Sequence, residues 1–252
     1  MTDQDLVFWG FCVTAVILIG ISKGGFGGLG ILAVPLMSLV MPPLQAAGII
    51  LPVLIVMDWV GVAAYRKHWD FGLLQDVLPG ALIGILLAYF LAGYVSEVAV
   101  KIAIGLIAVT FPLYMSLKRN RGEAVAQRSR LLGTLSGLVS GFASFIAHAG
   151  GPPFQAYAIP QKLNKQVYAG TSVMFFTIIN GVKLVPYSML GQFDRANLFV
   201  SFALMPIAPI GVLVGVYLVK RVDQTLFYRL LYALIFIVGG KLLWDGLVEV
   251  WA

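Results

Sequence analysis

Apolar residues run along this chain in long unbroken blocks separated by short polar stretches. Blocks of about 20 residues recur at 44–65, 73–94 and 197–219, and about 20 residues is what a helix needs to cross a bilayer. Such runs are continuous rather than alternating, so they predict helices and exclude a lipid-facing barrel. The composition agrees. The 252 residues are 60% hydrophobic and 11% charged, with a mean hydropathy of +0.94, whereas a soluble domain carries roughly 25% charged residues. The longest polar stretch, 118–130, is too short for an appended soluble module. The first apolar run follows Asp3 and Asp5 with no Lys or Arg before it, so it is expected to remain in the mature protein rather than leave as a signal peptide.

The chain also repeats. Ala47, Gly48, Asp58 and Tyr65 find counterparts in Ala169, Gly170, Asn180 and Tyr187 at an offset of 122, and Pro79, Gly84 and Val95 find theirs in Pro206, Gly211 and Val222 at an offset of 127. A five-residue loop insertion reconciles the two registers. The expected division is 1–120 and 121–252, two membrane repeats within a single membrane domain. Each half opens on a glycine-rich break, 24–30 in the first and 150–153 in the second, and continues with three spans. The pieces flanking the first break, near 6–22 and 29–41, read either as two thin crossings or as a re-entrant hairpin. Both readings make an odd half, so the second half starts with the opposite orientation. The expected fold is therefore an all-α polytopic membrane protein of two inverted-topology repeats, each with a broken or re-entrant glycine-rich helix pair plus three spanning helices.

Charge orients it. With the amino terminus outside, Arg66, Lys67, Lys118, Arg119, Arg121, Arg128, Arg130, Lys162, Lys165, Lys220, Arg221 and Arg229 fall inside, twelve of the 17 basic residues. Lys101, Arg195 and Lys241 fall outside. That bias predicts both termini outside, and it accounts for the net charge of +6 without a nucleic-acid partner. Six prolines within the spans, Pro52, Pro79, Pro112, Pro186, Pro206 and Pro209, are expected to kink helices.

The breaks carry the candidate chemistry. Gly25, Gly27 and Gly30 satisfy G-x-G-x-x-G, but a dinucleotide site needs a strand before the glycines and a soluble βαβ unit. What remains is a sharp turn followed by a helix, resuming near Leu29, whose free N–H groups attract an anion. Lys23 sits in that break. An ammonium within the membrane costs about 3 kcal/mol unless it meets water, a partner or a ligand, and snorkelling to the interface is the plain alternative. His148 occupies the second break, as an anion or proton partner or as a buried neutral ring held by a carbonyl. The expected substrate-binding set is Ser22, Lys23, Gly24, Gly25, Gly27, Gly28, His148, Gly150, Gly151 and Pro152. Asp58, Asn180 and Lys183 are coupling or pathway candidates, with Asp58 free to pair with Lys23 or Lys183. Lys183 stands one turn from Asn180 on the same face.

Ser144 and His148, four residues apart, are the pair a membrane-embedded hydrolase would use, with no oxyanion-hole motif beside them. Two histidines and one cysteine make a metal centre or other cofactor unexpected. An anion carrier is the reading the residues favour, with an anion-selective channel as its rival and an enzyme as the distant third.

The run Gly20, Ile21, Ser22, Lys23, Gly24, Gly25, Phe26, Gly27 and Gly28, with Pro35 closing the next apolar stretch, resembles the sulfite exporter TauE/SafE family. Gly150, Gly151 and Pro152, and Tyr168, Ala169 and Gly170, extend the resemblance to the second half. It implies a multi-pass permease of a bacterial inner membrane that exports or exchanges sulfite or a small organosulfonate. Its implied partners are that anion and the lipid bilayer; a homodimer is compatible with it.

Overall fold

The computed structural model describes residues 3–27, 30, 33–37, 39–41, 43–91, 94, 96–119 and 128–251. Gly28, Leu29 and residues 120–127 of the basic loop lie outside the described residues. Eleven α-helices and no strand occur among them. The first half holds α1 (Asp3–Lys23), α2 (Ala33–Met37), α3 (Pro43–Tyr65), α4 (Phe71–Leu91) and α5 (Glu97–Arg119). The second holds α6 (Arg130–Ala147), α7 (Gly151–Ala158), α8 (Lys165–Met189), α9 (Arg195–Leu204), α10 (Ala208–Arg221) and α11 (Gln224–Trp251). Among the described residues, α1, α3, α4, α6, α8 and α11 are long and apolar enough to cross a membrane, and α9 with α10 forms a pair bent by 46°, the shape of a broken span or a re-entrant loop. This is an all-helical, multi-pass membrane protein. Its outward side chains suit lipid: Leu82, Ile83, Leu86 and Phe90 on α4 and Ile237 and Trp244 on α11 are exposed, at no cost in hydrocarbon.

Two elements differ from expectation. The sequence reads 197–219 as one kinked span, but the helix stops at Leu204 and restarts at Ala208. Pro206 supplies no N–H and crowds the turn before it, and Pro209 takes the first turn of the new helix, where a missing N–H costs least. The pieces around the first break are also unequal. α1 is a full-length helix, whereas α2 has five described residues. The C-terminal ends of α1 and α3 meet, with the Tyr65 hydroxyl donating to the Gly24 carbonyl at 2.6 Å.

The helices of the two halves pack on each other. α1 packs on α10 and α6 on α4, while α3 packs on α8 and α5 on α11. With α1 to α5 matched in order to α6 to α11, and α9–α10 counted as one, each pairing maps onto another or onto itself. Directions follow from the contacts. Gly20 lies against Gly211 and Gly24 against Gly215, so α1 and α10 run parallel. Gly80 faces Thr134 and Gly84 faces Leu138, so α4 and α6 also run parallel. Asp58 meets Asn180 and Gly61 meets Val173, so α3 and α8 are antiparallel. Gly105 meets Leu243 and Gly246 meets Ile102, so α5 and α11 are antiparallel.

The parallel crossings are close because glycines stand four apart on the facing sides, the small-residue spacing that lets membrane helices approach. A Cβ at position 80 would sit 1.8 Å from the Thr134 carbonyl oxygen, which is main chain and can yield only if the helices part. Gly80→Ala is therefore expected to destabilise the bundle by about 1–3 kcal/mol or more, read as a lower melting temperature in detergent. Gly181→Ala, on α8 with nothing within 4 Å of the added carbon, is the control expected to melt like the parent.

Basic residues gather at one end of the bundle. There Gly170 packs on the His68 carbonyl and Gly72 on Arg128, and the Lys165 ammonium donates to the Lys220 and Val222 carbonyls. Arg128 binds Asp76 at 2.5 Å, and Tyr157 donates to the same carboxylate at 2.9 Å. Lys101 lies at the other end, on Glu249.

Candidate substrate site

The α3–α8 crossing brings the two counterparts Asp58 and Asn180 into direct contact, the Asn180 amide donating to Asp58 Oδ2 at 2.7 Å. Both are buried. The other carboxylate oxygen takes the Lys23 ammonium at 2.6 Å. Lys23 thus turns inward rather than snorkelling, and its Nζ also stands 5.2 Å from the centre of the Phe176 ring. Of its two candidate partners, Asp58 pairs with Lys23.

Lys183, fully buried on α8, has a different environment. Its Nζ reaches the Ser144 carbonyl at 3.1 Å, Ser144 Oγ at 3.0 Å and His148 Nδ1 at 3.2 Å. Three acceptors match the three N–H bonds of an ammonium. His148 Nε2 lies 3.5 Å from the Tyr187 hydroxyl, which donates to the Phe145 carbonyl at 2.8 Å. The whole chain is satisfied when His148 is neutral, accepting at Nδ1 and facing Tyr187 with Nε2–H. Among the described residues no carboxylate is within ion-pair distance of Lys183. His148 itself ends α6 in the left-handed conformation at φ 50°, with the Ala149 N–H turned back to the Ala143 carbonyl at 3.2 Å. That is a helix stop usually given to glycine.

A cavity of about 60 Å³ opens between these groups. A water needs roughly 10–15 Å³ by the same measure, so there is room for a few waters or one small oxyanion. From the expected set its wall includes Ser22, Lys23, Gly27, His148 and Gly151, and Asn180 among the pathway candidates. Gly24 instead supports the α10 crossing, where a Cβ would meet the Val212 carbonyl at 2.5 Å, and Gly25 makes the turn at φ 128°. Gly150 accepts from Ser140 Oγ at 2.6 Å, and Pro152 is buried in the first turn of α7.

The helix start described at the cavity is that of α7. The helix start expected near Leu29 lies outside the described residues. In α7, Pro152 and Pro153 carry no N–H, and the Phe154 N–H turns to the Gly150 carbonyl at 3.4 Å, which leaves Gly151 as the donor at the cavity. Charge for an anion comes from side chains. Ser144 Oγ receives Lys183 rather than His148, so the serine–histidine pair of a hydrolase is not formed. The wall residues that the sequence reading omitted include Ser172, Val173 and Phe176. Helical periodicity was the available signal, since 172, 173, 176, 180 and 183 share one face of α8.

Residues 12–242 match the family described as Sulfite exporter TauE/SafE. The chain belongs to the sulfite exporter TauE/SafE family. No curated protein and no solved structure matches it. TauE/SafE proteins are membrane permeases that export sulfite and related sulfonates, and the family's members are transporters rather than enzymes. Membership covers both halves, so the lysine-bearing break of α1 and the histidine-bearing break after α6 both lie inside the TauE/SafE region.

Proposed function

We propose that this chain is a carrier for a small sulfur oxyanion, sulfite or a short organosulfonate, which it moves across a bacterial cytoplasmic membrane by alternating access. The observation that carries the reading is the cavity at the α3–α8 crossing, whose wall takes Lys23 from the first half and His148 from the second. A compact oxyanion accepts several hydrogen bonds in a small volume. Here Lys23, Ser22 and the Gly151 N–H stand around one space, with Lys183 directly behind the Ser144 and His148 wall.

The halves 1–120 and 121–252 act as inverted repeats in this reading. Its support is directional: α3 with α8 and α5 with α11, each a pair of counterparts, pack antiparallel, as an axis in the membrane plane requires. The ends of α1 and α3 that carry the first break lie toward the basic end, by Tyr65, and the break after α6 lies toward the other, by Tyr187. Two breaks facing one site from opposite sides suit a carrier that opens to each side in turn. The basic end belongs in the cytoplasm by the charge bias of membrane proteins, which leaves both termini outside.

Purified protein in liposomes is expected to give sulfite flux that saturates, and preloaded unlabelled sulfite is expected to accelerate uptake of labelled sulfite. Such counterflow needs a site that returns loaded. Flux that rises without saturation and shows no counterflow would mean an anion-selective pore and would overturn the carrier reading.

A further inference from the structure

Gln155, on α7, is 1% exposed, and its amide oxygen has no hydrogen-bond partner among the described residues. A buried, unpaired acceptor costs about 1–3 kcal/mol, and an apolar side chain of the same size would avoid that cost. Its position gives the reason to hold it. Gln155 follows Gly151 by four residues, hence on the same face of α7, and Gly151 lines the cavity. Across the cavity edge its amide rests on Gly27, also in the wall, so closely that a Cβ there would stand 2.2 Å from Nε2. Gln155 thus sits behind the wall at Gly27 and Gly151, an acceptor without a donor close to a cavity whose wall also carries Lys23 and Ser22.

The charges around that space add a second, independent observation. Lys23 and Asp58 neutralise each other at 2.6 Å. Lys183 donates to three uncharged acceptors, and no carboxylate answers it among the described residues. With Lys183 protonated at mildly acidic pH, the buried groups sum to a single positive charge, which one monovalent anion balances. A charge held in the membrane without such compensation is costly.

We infer that the site takes its substrate as a singly charged oxyanion that still carries a proton, and that Gln155 accepts the hydrogen bond from that proton. Hydrogen sulfite has this chemistry; the sulfite dianion has neither the charge nor the proton. The inference rests on the anion-carrier reading and narrows it, because it makes Gln155 a determinant of which protonation state binds. Sites built to bond a substrate hydroxyl reject analogues that lack it.

The test is calorimetric binding to the full chain in detergent at mildly acidic pH, where sulfite is in its hydrogen form. Hydrogen sulfite is compared with methanesulfonate, an anion of the same charge without an acidic proton. The parent is expected to favour hydrogen sulfite by roughly tenfold or more. Gln155→Leu and Gln155→Met are expected to cut that advantage by roughly tenfold while melting no lower than the parent. An unchanged preference in a folded variant overturns the role of Gln155, as does a variant that melts lower and keeps the preference, which would make Gln155 a packing residue. A parent protein that binds neither anion would instead overturn the anion site itself, and so the two failures are told apart.

Discussion

Lys23→Met is expected to abolish sulfite flux and to destabilise the protein by about 3–5 kcal/mol, because it leaves Asp58 as an unpaired buried charge. Asp58 is 1% exposed, and without Lys23 it retains the Asn180 amide. The double variant Lys23→Met with Asp58→Asn removes both charges. It is expected to regain most of the melting temperature and none of the flux. This pattern separates two roles that a single substitution confounds: holding α1 to α3, and presenting positive charge to the cavity. Liposome uptake and thermal melts on the same three proteins provide the measurement. A double variant that transports like the parent would remove Lys23 from the site.

Lys183→Met has the opposite signature. No carboxylate loses a partner, and the acceptors left behind are the Ser144 carbonyl and hydroxyl and His148 Nδ1. The variant is expected to fold with little change in melting temperature, since a buried cation without a counter-ion gives way to an apolar chain of similar length. Anion affinity is expected to fall on the order of 100-fold, the effect of losing one full charge a few ångströms from the ligand at an effective dielectric near 20. Calorimetry with sulfite checks the affinity, and a detergent melt checks the fold. Affinity equal to that of the parent would show that Lys23 supplies the attraction alone. The charge balance that selects a monovalent substrate would then fail with it.

The two lysines look alike in the sequence. Each is a cation in an apolar segment, and Asp58 is a candidate partner for both. Which of them receives the carboxylate is settled by the α3–α8 crossing and by the way α1 ends against α3, contacts between residues 35 and 122 positions apart. The omitted wall residues Ser172, Val173 and Phe176 are a different case. They follow from the face already marked by Asn180 and Lys183, and continuing that face by helical periodicity would have found them.

Much of the architecture is local, and so was legible. Lipid leaves the backbone no choice but helix in an apolar run of sufficient length, so span positions follow from composition alone: 44–65 and 73–94 became α3 and α4 with ends shifted by three residues at most. The glycine-rich breaks were equally plain, because so many small residues weaken helical order whatever surrounds them. The repeat offset of 122 paired Asp58 with Asn180, and the two meet in space. Other features depend on packing between distant segments. The stop at Pro206 became a 46° bend because α10 must lie along α1 on glycines. Pro79, on α4, has the same chemistry in an unbroken helix. Gln155 had no marker in its own neighbourhood. Its meaning arises only where α7 rests on Gly27, because a hydrogen bond left unmade is a property of everything around a group. Residue pattern determined that this chain is a bundle of membrane helices interrupted at two places. Tertiary structure alone decided which polar groups meet at those interruptions, since a partner hundreds of atoms away along the chain leaves no trace in local periodicity.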